Sequence, residues 1–357
     1  MNKPPSPFQS KYTQQLPELL NQLGCSIAIS TYQAGKLVFI SSQDGKSLTQ
    51  LPRNFEKAMG IAEDYKKDKL AIACRDEVIV FKNSKDLAAY YPNSPNKYDS
   101  LYVPRITYYT GTVDVHDVHF GEDDQIYAVN TLFSCIVRVD GEYNFTPVWQ
   151  PHYIDKIAPE DRCHLNGMAM QNGKPKYVTA FNRGNTPKSW REGIENSGIV
   201  IDVETNKIIA DGLAMPHSPT IINGELYLLQ SANGQLIKIS TETGEKEVIL
   251  ETGAFARGMS YYNDFLFIGM SKLRENSTTF KKIIPNIKNN VSGILVVHLP
   301  TKSMYGSIIY DTSLDEIYDV HILKDKVRPN ILNTIKPLHK QSLMLPETTF
   351  WKKEKSN

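Results

Sequence analysis

The stretch SPTIINGELYLLQSANGQLIKISTETGEKEVILETG, Ser218 to Gly253, reads as four short strands joined by tight turns. The runs SPTIIN, ELYLLQ, QLIKIS and EKEVIL are too short for stable helices. Asn223-Gly224 and Thr243-Gly244 supply the positive φ that two-residue hairpin loops need. The same unit recurs on both sides with a period of about fifty residues, which is the spacing of propeller blades. Upstream lie LNGMAM from Leu165 with KYVTAF, GIVIDVETN and KIIADGLA, and before them HDVHF with QIYAVN, CIVRVD and FTPVWQ. Downstream, ARGMSYYN, DFLFIGM, GILVVHL and SMYGSIIY repeat it around an insertion from Lys272 to Ser292. A less regular unit begins at AMGIA, Ala58 to Ala62, with Asn83 to Tyr102 read as an inserted loop.

Innermost strands then number six, and the last, IYDVHILK around His321, has no companions after it. CSIAISTYQ, KLVFISSQDGK and SLTQLPRN near the N-terminus supply the three that are missing. The expectation is an all-β, six-bladed β-propeller whose last blade is closed by N-terminal strands, which removes exposed sheet edges. A pair of packed β-sandwiches is the alternative. The expected organisation is a leader over 1–24 with a short helix at Leu16 to Leu23, one propeller over 25–325 and a C-terminal tail over 326–357.

A chain of 357 residues is long for a single domain unless it forms one large ring. A net charge of +1 with scattered lysines and arginines argues against nucleic acid and anionic membranes as partners. Met1 to Ser10 is rich in proline and serine, and no apolar run of signal or membrane-span length follows. Cys25, Cys74, Cys135 and Cys163 are spread without a CxxC pair, so reduced core thiols and a cytoplasmic location are expected.

STYQAGKLVFI at Ser30 to Ile40, AMGIA, and MPHSPTIINGELYLLQSANGQL at Met215 to Leu236 resemble an uncharacterised bacterial β-propeller family with STYQAGKL and MPHSP signatures, a domain of unknown function. The resemblance spans about Cys25 to His321, supports the fold and leaves the activity open. More distantly, the PHS and VHDV strings are similar to inner-strand starts of amidating-lyase propellers, where histidines of alternate blades hold zinc. That similarity implies His116 and His217 as ligands, while Tyr318 occupies the matching place in the sixth blade and His321 lies three residues later. LNGMAM resembles a strand start of calcium-dependent lactonase propellers, which implies Asn166 as an oxygen ligand with Asp117 and Asp319 as part of the acidic pattern.

Aligning the inner strands on Gly60, Val118, Gly167, Pro219, Gly258 and Val320 places Met59, Asp117, Asn166, Ser218, Arg257 and Asp319 in one ring. This ring is largely polar where a core would be apolar. One step earlier stand Ala58, His116, Leu165, His217, Ala256 and Tyr318. Alternate strand residues face opposite sides, so both rings reach the channel only if the strand starts twist or bulge. His119 and His321 share the side of Asp117 and Asp319, and His164 sits one place off the register.

These residues point to a metal-dependent enzyme acting on a small, anionic molecule at the channel mouth, with lyase, hydrolase and oxidoreductase chemistry all open. His116, His217, His321, His119, His164 and Asn166 are the expected ligands of a divalent metal ion. Imidazoles suit zinc, copper or iron, and an oxygen-led site suits calcium. Arg257, Tyr318, Asp117 and Asp319 are the expected catalytic groups. Arg257 suits a carboxylate or phosphate, unless it is spent on a salt bridge to Asp319 or Asp117. His119 and His321 have an alternative role as inter-blade histidines bonded to backbone carbonyls, and His152, His298 and His339 lie outside the inner strands. The competing function is a non-catalytic propeller that binds a peptide or protein through the loops Asn83 to Tyr102 and Lys272 to Ser292, with Trp190, Tyr90 and Tyr91 as contacts.

Overall fold

The computed structural model describes residues 6–273 and 280–352. Residues 274–279 of the insertion expected from Lys272 to Ser292, the first five of the leader and the last five of the tail lie outside them. Six separate small sheets stand around a channel, each with its inner strand on the axis, so the chain forms a six-bladed β-propeller and not a pair of sandwiches. Blade 1 runs outward through Ile61–Asp64, Lys69–Ala73, Glu77–Asn83 and Ser100–Tyr109, and the inner strands of blades 2 to 5 are Val115–Phe120, Leu165–Gln171, Pro216–Ile222 and Phe255–Tyr262. Blade 6 joins the two ends of the chain. Its inner strand Asp319–Leu323 pairs antiparallel with Ser26–Thr31, in the register Ser26 to Leu323 through Ser30 to Asp319, and Lys36–Ser41 and Thr49–Asn54 complete it.

The packing explains why the strands read as continuous apolar runs. Each blade buries both faces, so successive side chains enter two different cores. In Glu225–Gln230, Leu226 and Leu228 pack towards blade 3, whereas Tyr227 and Leu229 pack towards blade 5. In Lys36–Ser41, Phe39 faces blade 1 while Val38 and Ile40 face blade 5. One such wedge of apolar side chains fills every blade interface. The ring therefore has no single centre of hydrophobicity, which leaves its axis free for polar groups.

The leader and tail are built into the ring. Ser10–Tyr12 adds a fifth strand to the outer edge of blade 5, and Pro329–Ile331 adds a parallel one to blade 1, covering two edges. The expected helix spans Gln15–Leu23 and ends at Gly24, whose φ of 60° is the left-handed conformation that glycine adopts at low cost. Leu16, Leu19 and Leu20 insert between blades 5 and 6 beside Ile294, Ile308 and Ile40. The Asn83 to Tyr102 segment is more ordered than a loop. Ser84 Oγ accepts the Leu87 amide at 3.2 Å and caps a short helix, Lys85–Ala89, on which Trp351 of the tail docks by donating Nε1–H to the Leu87 carbonyl.

Removing residues 1–9 should leave a cooperative thermal transition, whereas removal through Asn54 takes three strands from blade 6 and should abolish it; a sharp transition in the longer truncation would refute ring closure as the source of stability. The four cysteines are free and buried, and burial pushes the thiols of Cys25 and Cys135 up to about 12 and that of Cys163 up to about 11. Thiol titration at pH 8 should therefore find none reactive in the folded protein and four after denaturation without reductant. Fewer than four would reveal a disulfide.

Candidate functional site at the channel mouth

The inner strands of blades 2 to 5 bulge where they meet the axis. Asn166 and Gly167 together oppose Thr179, Ser218 and Pro219 oppose Leu228, and Arg257 and Gly258 oppose Gly269. His116 is the extra residue in blade 2. These irregularities turn successive side chains to the same side, so both rings line the channel, at two levels.

At the upper level His116, His217 and Tyr318 come from blades 2, 4 and 6, with His164 beside them. Asp114 and Met215, each two residues before a histidine, adopt φ values of 53° and 49° that bring their carbonyls onto the imidazoles. His116 Nδ1 lies 3.1 Å from the Asp114 carbonyl, and His217 Nδ1 lies 3.0 Å from that of Met215 and 2.7 Å from Ser231 Oγ. Ser231 donates its own proton to the Ala256 carbonyl, so only acceptors surround His217 Nδ1. His164 Nδ1 lies 3.0 Å from Asp161 Oδ1, and Trp190 Nε1–H holds the other carboxylate oxygen at 2.9 Å. The network thus assigns the proton to Nδ1 in all three rings and leaves Nε2 as an acceptor. Burial, aided by the charge of Arg257, holds His116 and His217 well below the ordinary imidazole pKa.

Arg257 stands over this group, its guanidinium carbon 3.4 Å from the centre of the Tyr318 ring. Among the described residues it has no carboxylate partner, so the salt bridge to Asp117 or Asp319 is not formed. The Tyr318 hydroxyl is buried with no hydrogen-bond partner among the described residues, and burial raises its pKa so that it keeps its proton.

The lower level is a chamber of about 80 Å³ bordered by Asp117, His119, Asn166, Asp319 and His321. Its side-chain oxygens stitch blades together. Asp117 Oδ2 accepts the Met168 amide at 2.8 Å, Ser218 Oγ accepts that of Gly258 at 3.0 Å, and Asp319 Oδ2 accepts that of Ile61 at 2.9 Å. Burial and the charge of Asp117 push the Asp319 carboxyl up to about 6. Burial disfavours charge on His119, but the charge and hydrogen bond of Asp117, 3.2 Å from Nε2, outweigh it and raise its pKa. His321 Nε2 lies 3.7 Å from Glu63 of blade 1. His119 also bonds the backbone of Met168 in blade 3, the inter-blade role considered from sequence, whereas the partner of His321 is a carboxylate.

The six side chains expected as metal ligands are divided between these levels. His116 and His217 have the Nδ1-to-carbonyl support common to metal-bound imidazoles. Phe181 stands between His164 and His217, with ring centres 4.5 and 5.2 Å away. Among the described residues no three His, Cys, Asp or Glu side chains gather into a set that could hold a metal ion. His152, His298 and His339 lie away from the channel cavities.

Asp161 was missed in the sequence, although its i,i+3 spacing to His164 was a readable carboxylate–imidazole signal. Trp190 and Tyr91, expected as exposed partner contacts, are each 7% exposed: Trp190 walls the upper cavity and Tyr91 packs on Trp351, whereas Tyr90 is on the surface.

A six-bladed propeller with a polar, histidine-bearing channel mouth is the class of protein these features define. The chain belongs to the DUF4915 family, a domain of unknown function whose model matches residues 14–332. Among solved structures it is similar to a chain of a nidogen–laminin complex, at 10% identity and a TM-score of 0.54 over 84% of this chain and 99% of that one. It is also similar to a protein of unknown function from Bacteroides caccae, at 7% identity and a TM-score of 0.52 over 84% and 98%. These likenesses concern the fold alone. No curated protein matches the sequence. No helix among the described residues is long and apolar enough to cross a membrane.

The depressed imidazoles carry a pH signature. Below the ordinary value of 6.5 an unfolded chain protonates His217 while the folded chain keeps it neutral. Stability should therefore fall as pH drops below 6.5, by at most about 1.4 kcal/mol per unit from this residue. Asp319 acts oppositely, its contribution rising as pH falls through about 6. His217→Gln should make urea stability fall less steeply between pH 6.5 and 5; an unchanged slope would mean that the imidazole is charged in the fold.

Proposed function

We propose that the channel mouth binds a small molecule through a carboxylate or phosphate and acts on it by proton transfer. The observation that carries this reading is Arg257, a half-buried guanidinium on an aromatic face with no carboxylate partner among the described residues. A cation so placed is satisfied by an anion in the channel, with which it forms charge-assisted hydrogen bonds. The buried Tyr318 hydroxyl offers a further donor beside it. His164, oriented by Asp161, is the general base we favour, since its Nε2 is free to take a proton while Nδ1–H stays on the carboxylate. His164 and Asp161 have φ values of 49° and 47°, a conformation uncommon outside glycine that is often kept at functional positions.

Among the described residues no three His, Cys, Asp or Glu side chains converge as a metal-holding set, so no step here is routed through a metal. Asp117 and Asp319, expected as catalytic groups, have a sufficient role in joining blades through the amides of Met168 and Ile61.

Titration calorimetry with acetate and with inorganic phosphate, at constant ionic strength in chloride, tests the reading. At least one should bind the wild type, and Arg257→Ala should lose about 1.5–3 kcal/mol of that binding, roughly 10–150-fold, with an unchanged melting profile. Equal binding by both proteins, or none by the wild type, would overturn it.

A further inference from the structure

The apolar side of the upper cavity limits what can accompany the anion. That cavity measures about 290 Å³, at the small end of the roughly 300–1,000 Å³ typical of small-molecule sites. Phe181, Trp190, Met215, Phe255, Leu273 and Phe280 line one side of it. They belong to an apolar cluster separate from the six wedges between blades, one that ring packing does not require. The aromatic rings follow one another across it: Trp190 to Phe181 at 5.6 Å, Phe181 to His217 at 5.2 Å, His217 to Phe255 at 6.0 Å and Phe255 to Phe280 at 5.7 Å. Asp114 and Glu316 line the same cavity. Lys272, the other lysine or arginine among the described lining residues besides Arg257, is paired with Asp315 at 2.8 Å. Among the described residues, a second anionic group on the ligand would thus meet two carboxylates and no unpaired cation.

We infer that the ligand is an aryl-bearing monocarboxylate, its carboxylate on Arg257 and its ring against Phe181, Trp190 and Phe280. Edge-to-face and offset contacts between aromatic rings favour a flat apolar body in such a wall. The opposing carboxylates disfavour phosphomonoesters, which are dianionic near neutral pH, as well as dicarboxylates. This inference rests on the anion reading of Arg257 and narrows it.

The test compares phenylacetate, acetate, phenyl phosphate and inorganic phosphate by titration calorimetry on the wild type, Arg257→Ala, Trp190→Phe and Phe280→Ala, with melting curves to verify folding. Phe280 is only partly buried, so its truncation keeps the experiment decisive even if Trp190→Phe is unstable. Phenylacetate should bind the wild type at least 10-fold more tightly than acetate and more tightly than either phosphate. Phe280→Ala should lose most of the preference over acetate while retaining acetate binding. If acetate matches phenylacetate, or a phosphate binds best, and the binding still needs Arg257, the aryl monocarboxylate is overturned and the anion site stands. If no compound shows Arg257-dependent binding, both fall.

Discussion

Everything on the axis follows from how closely neighbouring inner strands approach. In odd blades the contact is made by glycine. A Cβ on Gly60 would lie 2.9 Å from Asp117 Cα, one on Gly167 2.7 Å from Pro219 Cδ, and one on Gly258 2.7 Å from Asp319 Cα. Gly258 also has a φ of +79°, so no other residue fits there without strain. In even blades the contact is a side-chain oxygen, from Asp117, Ser218 or Asp319, that satisfies a backbone amide of the next blade. Buried amides must find acceptors, and the bulges that open the ladders at Met168 and Gly258 create the need that Asp117 and Ser218 meet. The ring thus closes with an approximate threefold rhythm. His116, His217 and Tyr318 stand at its three equivalent places, and the mouth inherits its geometry from the way the blades are joined.

The fold was readable because its determinants are local and repeated. Turn residues, strand lengths and the mismatch between surplus strands at one end and a solitary one at the other are sufficient to specify blade number and closure. The same alignment found His116, His217, Arg257 and Tyr318, because equivalent positions in a repeat stay equivalent in space. It did not reveal that both rings face the channel, since a bulge depends on the partner strand and not on the residue itself. Nor did it find the apolar wall. Trp190 and Phe280 lie in segments that interrupt the repeat, where periodicity carries no information about what they touch. Trp190 read as a surface contact because long loops usually are exposed, but here the blade 3 loop folds inward onto Phe181 and His164.

The two levels differ in electrostatic character more than in distance. Above, His116 and His217 held neutral by burial, a phenol and a guanidinium without a carboxylate partner among the described residues form a site rich in directed donors and acceptors, its positive charge concentrated at Arg257. Below, Asp117 and Asp319 share a narrow chamber with His119, and their carboxylates are tied to backbone amides. Arg257 borders both levels and has no carboxylate partner in either among the described residues. On the proposed reading, an anion held by Arg257 would meet the carboxylates of Asp117 and Asp319 further in. The ring of oxygens acts as the floor of the site.

Closure of blade 6 also sets a schedule for synthesis. Ser30 and Asp319, joined in the finished blade, stand 289 residues apart in the chain. At roughly 5–20 residues per second the ribosome takes about 15–60 s to supply the second after the first. Through that interval the strand Ser26–Thr31, buried along its whole length in the native ring, has an open edge and no inner partner. Blades 1 to 5 can form in order as they emerge, but the first strands made are the last to be completed. A nascent chain of this design carries the open edge of its first β-meander until the final inner strand arrives.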